Sequence, residues 1–149
     1  MATKEQIETL LEQLKKAPPS ECFQNCDMNA AGIRAILKIL NETDDKITAG
    51  KISEYMQVST ARVAVLLKKM VAKGYIEKEA DSVDGRVVVV RLSEYGRQTA
   101  EKLKENLYHN MGEMIDKIGI ERMLEFATIS KEIHSLMKEN KYEKEKADV

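Results

Sequence analysis

The segment ITAGKISEYMQVSTARVAVLLKKMVAKGY, residues 47–75, leaves the fewest folding options in this chain. Thr48 stands where its hydroxyl can cap a short helix over roughly Ala49 to Met56. Ser59 can cap a longer one ending near Lys73, with Gly74 as its C-terminal stop. Only Gln57 and Val58 separate the first helix from the second cap. A turn that short forces the two helices to cross and share one core, which is the helix-turn-helix arrangement. Ile52, Met56, Val58, Val63, Leu66, Leu67 and Met70 supply that core. The outer face of the second helix is then Thr60, Ala61, Arg62, Ala64, Val65, Lys68 and Lys69.

That face combines a hydroxyl, an arginine and small apolar groups in its first two turns with two lysines beyond them. Those groups suit phosphates, a guanine edge, thymine methyls and backbone phosphates in turn. An ordinary amphipathic helix with a solvated lysine face has the same pattern, and such folds also serve as protein-interaction modules. Charge distribution bears on the choice. The whole chain carries a formal net charge of −1, but residues 46–104 hold 12 Lys and Arg against 7 Asp and Glu, a net of +5. A basic middle lies between acidic flanks, as a nucleic-acid-binding centre requires.

Around this centre the chain reads as helix. Thr3 and Gln6 form a capping-box pair, and Ile7, Leu10, Leu11 and Leu14 follow at helical spacing until Pro18 and Pro19 end the run. Asn29 can cap a second helix with Ile33, Ile36, Leu37 and Leu40 on one face, before the turn-like NETDD. After Gly74, YIEKEAD and GRVVVVRL read as a hairpin joined by Ser82, Val83, Asp84 and Gly85, with Gly85 supplying permissive turn geometry. Alternation places Val88, Val90 and Leu92 against the lobe and Val87, Val89 and Arg91 on the other face, leaving Arg91 solvated or facing phosphate. Ser93 caps a long helix through Ala100, Leu103, Leu107, Met111, Met114 and Ile115 that breaks near Gly119. A last helix carries Met123, Phe126, Ala127, Ile133, Leu136 and Met137 inward. The tail KENKYEKEKADV is charged and is expected to fray.

The predicted architecture is therefore mainly α with a small β-hairpin wing. It is a winged helix-turn-helix lobe over residues 28–92, flanked by dimerisation helices in 1–27 and 93–140, with a frayed tail at 141–149. The order of elements and the local motifs resemble the multiple-antibiotic-resistance regulator (MarR) family of winged-helix transcription factors over essentially the whole chain. The resemblance rests on Asp84-Gly85-Arg86 in the wing, Leu92-Ser93 and Gly96 downstream, the segment ITAGKISEYMQVS, and MVAKGYI after the recognition helix.

The resemblance implies a homodimer on a pseudo-palindromic double-stranded DNA operator, most often a repressor released by a small aromatic effector. It implies Ser59, Thr60, Ala61, Arg62, Ala64, Val65, Lys68 and Lys69 at the major groove. Arg86 would enter the minor groove, where narrow walls concentrate negative potential, and Asp84 would restrain the wing by pairing with a nearby cation. Two positions depart from the family pattern. Gly85 stands where many members carry a second arginine, and Val65 where a polar or basic residue is common, which makes base contact more apolar.

Other residues have two readings each. Tyr55, Tyr108, Met111 and Met114 could line an effector cavity or simply pack. Cys22 and Cys26 are candidate redox thiols, as in relatives that sense oxidants through an N-terminal cysteine, or small apolar residues. A zinc site would need two more ligands close by, and none is near in sequence. His109 and His134 lie far from any nucleophile setting and read as surface or interface groups. Neither a cofactor nor an enzymatic activity is expected. A polar start, two cysteines and no apolar run of about 18 residues point to the cytoplasm and away from a membrane.

Overall fold

The computed structural model describes residues 1–15, 28–43 and 47–147. Cys22, Cys26, Pro18 and Pro19 lie outside the described residues. Among those described, nine elements follow in chain order: helices α1 (Lys4–Lys15) and α2 (Met28–Glu42), strand β1 (Ile47–Thr48), helices α3 (Ala49–Met56) and α4 (Thr60–Ala72), strands β2 (Ile76–Ala80) and β3 (Val88–Leu92), and helices α5 (Glu94–Ile118) and α6 (Ile120–Ala147). They form a mostly helical chain with a three-stranded antiparallel sheet in the order β1-β3-β2. Two compact units result: a winged unit of residues 26–106, and a helical unit of residues 1–25 with 107–149. The winged unit thus includes the first half of α5, whose Ala100 and Leu103 join its core.

Helix starts follow local chemistry. The Thr3 amide donates to Gln6 Oε1 at 2.9 Å while the Gln6 amide donates to Thr3 Oγ1 at 3.2 Å, a complete capping box. Thr48 Oγ1 accepts the Lys51 amide at 3.2 Å, and Ser59 Oγ accepts the Arg62 amide at 3.1 Å. Each satisfies one N–H that the first helical turn leaves without a partner. Helix α2 begins at Met28, one residue before Asn29.

Both helices of the central pair stop through the same hydrogen-bond pattern. After α3, Val58 N–H reaches Ser53 O and Gln57 N–H reaches Glu54 O, both at 3.3 Å, with Gln57 in the left-handed region at φ 54°. After α4, Tyr75 N–H reaches Met70 O at 2.9 Å and Gly74 N–H reaches Val71 O at 3.0 Å, with Gly74 at φ 74°. This is the Schellman closure, and it needs one residue of positive φ. Gly74 adopts that geometry without a β-carbon clash, whereas Gln57 bears a small strain held by the bond from Ser53 Oγ to Val58 O at 2.6 Å.

The core of the winged unit is the stripe expected from helical spacing. Ile33, Ile36, Leu37 and Leu40 of α2 meet Ile52 of α3 and Val63, Leu66, Leu67 and Met70 of α4, all buried, together with Ile47, Ile76 and Val90 from the sheet. The helical unit has a smaller core of Ile7, Leu10, Ile115 and Ala127, with Leu11, Leu14, Tyr108, Met111 and Met123 packed around it.

Three expectations are corrected. The sheet has a third strand, because Ile47 and Thr48 pair with Val90 and Val89. Two residues are too short a run to show a period in sequence. Val88 is 47% exposed and Val89 is buried, the reverse of the expected faces at those positions. The reason is lateral: β1 reaches only Val89 and Val90, so Val89 is flanked by strands on both sides and Val88 lies beyond the three-stranded part. Phe126, Ile133, Leu136 and Met137, expected inward, are exposed in the single chain, as are Leu107 and Met114 of α5. Among the described residues of their unit, α1 and the end of α5 pack on α6 and leave part of its apolar surface exposed. The last helix, α6, runs to Ala147.

The turn of the wing is also not what its glycine suggested. Val87 N–H closes on Asp84 O at 3.0 Å and Arg86 N–H donates to Asp84 Oδ1 at 3.1 Å. Neither Gly85 nor Arg86 has positive φ, and a β-carbon on Gly85 would meet nothing within 4 Å. An aspartate at the first position holds this turn with ordinary backbone angles. Gly96 is the opposite case. Ser93 N–H donates to Tyr75 O at 3.0 Å, Ser93 Oγ donates to Gly74 O at 2.5 Å, and Gly96 N–H donates to Ser93 Oγ at 3.0 Å. A β-carbon on Gly96 would overlap the Tyr75 carbonyl oxygen. Gly96→Ala should therefore cost about 3 kcal/mol of stability or more, and Gly85→Ala should change it by less than about 0.5 kcal/mol. Urea denaturation of both variants checks this contrast.

Candidate nucleic-acid interface

The residues singled out in sequence for DNA contact all fall in the winged unit, on α4 and at the wing tip. On a helix turning by roughly 100° per residue, the buried stripe Val63, Leu66, Leu67 and Met70 fixes the opposite direction. Ala61, Val65 and Lys68 point there, with Ala64 and Lys69 to either side, and all five are exposed. Arg62 lies at the edge of this face and is half-buried; Thr60 is at the other edge and exposed.

Electrostatics favour an anion along the whole of α4. From Ser59 to Gly74 the sequence contains Arg62, Lys68, Lys69 and Lys73 and no carboxylate. Lys73, which the sequence reading did not single out, extends the row at the C-terminal end, and its only signal was its place in that run. The N-terminal end adds the positive pole of the helix dipole. Ser59 has its oxygen committed to the cap. Its hydroxyl proton remains as a donor for a phosphate, but the side chain is not available to read a base.

The wing is built differently. Its ribbon and tip carry Glu77, Glu79, Asp81 and Asp84 against Lys78, Arg86 and Arg91, so it is not a basic patch. Arg91 Nε lies 3.4 Å from Glu79 Oε2 across the ribbon, which pairs a side chain expected to be solvated or phosphate-facing. Arg86 is exposed at the turn. Its backbone amide donates to Asp84 Oδ1 in the turn described above. Val83 beside it is 93% exposed.

The four candidates for an effector cavity are distributed as follows. Tyr108 and Met111 come together in the helical unit's core, and Tyr108 Oη donates to Glu8 Oε1 at 3.2 Å. Met114, on the same helix, is exposed, and Tyr55 is exposed on α3 of the winged unit. His109 is exposed and His134 half-buried on α5 and α6. Among the described residues no three His, Cys, Asp or Glu side chains are grouped to hold a metal ion, and no helix is long and apolar enough to cross a membrane.

Comparison with known proteins agrees with this geometry. Residues 34–87, from α2 to the wing tip, match the MarR family model. The chain is 25% identical over 99 residues to the HTH-type transcriptional regulator YdgJ of Bacillus subtilis, a match covering 66% of this chain and 60% of that protein. It is 30% identical over 76 residues to the transcriptional regulator AdcR of Streptococcus pneumoniae, covering 51% of each. The chain thus spans about half to three-fifths of the length of these relatives. A solved structure of Lactococcus lactis ZitR, a double mutant in apo form, superposes with a TM-score of 0.55 at 26% identity, covering 93% of this chain and 98% of that one. With the helix-turn-helix and its wing matched in both sequence and fold, residues 34–87 are similar to the MarR family of winged-helix proteins.

Proposed function

We propose that this protein is a homodimeric, sequence-specific regulator of transcription that binds double-stranded DNA, a repressor released by a small-molecule effector. The observation that carries the reading is the outer face of α4: exposed, free of carboxylates, lined with Lys68, Lys69 and Lys73, and presented by a capped helix after a two-residue turn. A helix of this kind fits the major groove, with its N-terminal residues at base edges and its lysines on phosphates. Arg86 at the exposed wing tip suits the adjacent minor groove. The transcriptional regulators among its relatives support the same reading.

The homodimer is supported by what the single chain leaves uncovered. Phe126, Ile129, Ile133, Leu136 and Met137 repeat at three- and four-residue spacing along α6, all exposed. A stripe of that length is larger than a soluble monomer ordinarily leaves in water. A second copy would bury it and place two α4 helices on two half-sites about one helical turn apart. Tyr108 and Met111, with Tyr55 and Met114, are the residues proposed to respond to an aromatic effector, and the compartment this activity requires is the cytoplasm.

Selection of bound duplexes from a random pool should return a pseudo-palindrome. On that duplex Arg86→Ala should weaken binding about ten-fold, within the range of a groove contact. Lys68→Ala should flatten the dependence of log Kd on log salt by about 0.9, one phosphate contact. Ile133→Asp with Leu136→Asp should yield a monomer by sedimentation and reduce affinity together with it. Failure to enrich any duplex, or binding insensitive to salt, would instead favour a protein-interaction module.

A further inference from the structure

We infer that the base recognition of α4 is carried chiefly by apolar contact with thymine, through Val65 seated between Ala61 and Ala64, rather than by hydrogen bonds; this rests on the DNA-binding reading above. The direction opposite the buried stripe is occupied in the first two turns by Ala61 and Val65, and Val65 is 48% exposed. Val65 is three residues beyond Arg62 and three before Lys68. The apolar island therefore sits between cations that would hold it against a duplex. The polar alternatives on α4 are few. Ser59 has its oxygen in the cap, Arg62 is half-buried at the edge of the face, and α4 contains no Asn, Gln, Asp or Glu. The side chains that pair bidentately with adenine, or that accept from cytosine, are therefore missing from this helix. With exposed Thr60 at the edge and Lys68 one turn further on, what remains at the centre of the first two turns is a set of methyl groups, and the matching feature of the major groove is the thymine 5-methyl. A β-branched residue at an exposed helical position is also a poor choice for helix stability alone. Val65 therefore acts as a specificity-determining residue, and the half-site it faces contains thymine.

The test uses the full-length protein and the duplex recovered from the random pool. Each thymine is replaced in turn by deoxyuridine, which removes only the methyl group. One or two thymines per half-site should lose about four-fold in affinity, the size expected for one buried methyl-sized group. Val65→Ala should bind the thymine and uracil duplexes equally at those positions. Val65→Thr, which keeps one methyl, should retain part of the difference. Lys68→Ala should weaken both duplexes together and leave their ratio intact. If the protein binds the selected duplex but every uracil substitution is neutral, or if the penalty is unchanged in Val65→Ala, the inference is overturned while the DNA-binding function stands. Failure to bind any duplex overturns both.

Discussion

The junction at Tyr75, Ser93 and Gly96 is the constraint on which the winged unit depends. Four elements meet there: α4 ends at Ala72 and its closing turn runs through Gly74, β2 begins after Tyr75, β3 ends at Leu92 and α5 begins after Ser93. Each would leave backbone groups without partners. Ser93 resolves most of them at once by donating its amide to Tyr75 O and its hydroxyl to Gly74 O while accepting the Gly96 amide. Closing those bonds brings the first turn of α5 so near the Tyr75 carbonyl that only glycine fits at position 96. The stacked rings of Tyr75 and Tyr95, with centroids 5.4 Å apart, cover the same joint. The register of the ribbon, Ile76 opposite Leu92, is thus pinned at its base, and the position of Arg86 at the far end follows from it.

The two surfaces offered to a polyanion work by different physics. On α4 the field is broad, because several cations share one helix without a carboxylate among them. At the wing the cations are offset by Glu77, Glu79, Asp81 and Asp84, and one cross-strand pair removes Arg91 from play. The wing is therefore suited to place a single arginine, oriented by the Asp84 turn, rather than to attract DNA at a distance. Long-range attraction belongs to the helix and local fit to the tip.

Much of this was legible in the residues themselves, because caps and helical stripes are local. Thr3, Thr48, Ser59 and Ser93 act where a hydroxyl before an apolar repeat predicts, and Gly74 closes α4 as its position suggests. The core stripes of α2 and α4 needed only the period of the helix. Misreadings arose where composition allows more than one local geometry, or where a neighbour distant in sequence decides. Asp-Gly at positions 84 and 85 has the composition of a turn requiring positive φ, yet the aspartate's own hydrogen bonds close it with ordinary angles. The valine run is expected to alternate, but Val89 and Val90 are both buried, because burial along it follows which residues β1 reaches.

The sequence by itself determined the helix-turn-helix, the wing, their order, and which side chains of α4 face outward. All of these depend on spacings within about ten residues. Tertiary structure alone decided that Gly96 is required and Gly85 is not. It also decided that Val89 is buried while Val88 is exposed, and that apolar residues of α6 stay exposed among the described residues of its unit. The physical reason is the same in each case: burial and close approach are properties of pairs of segments, and the chain records only one member of each pair at a time.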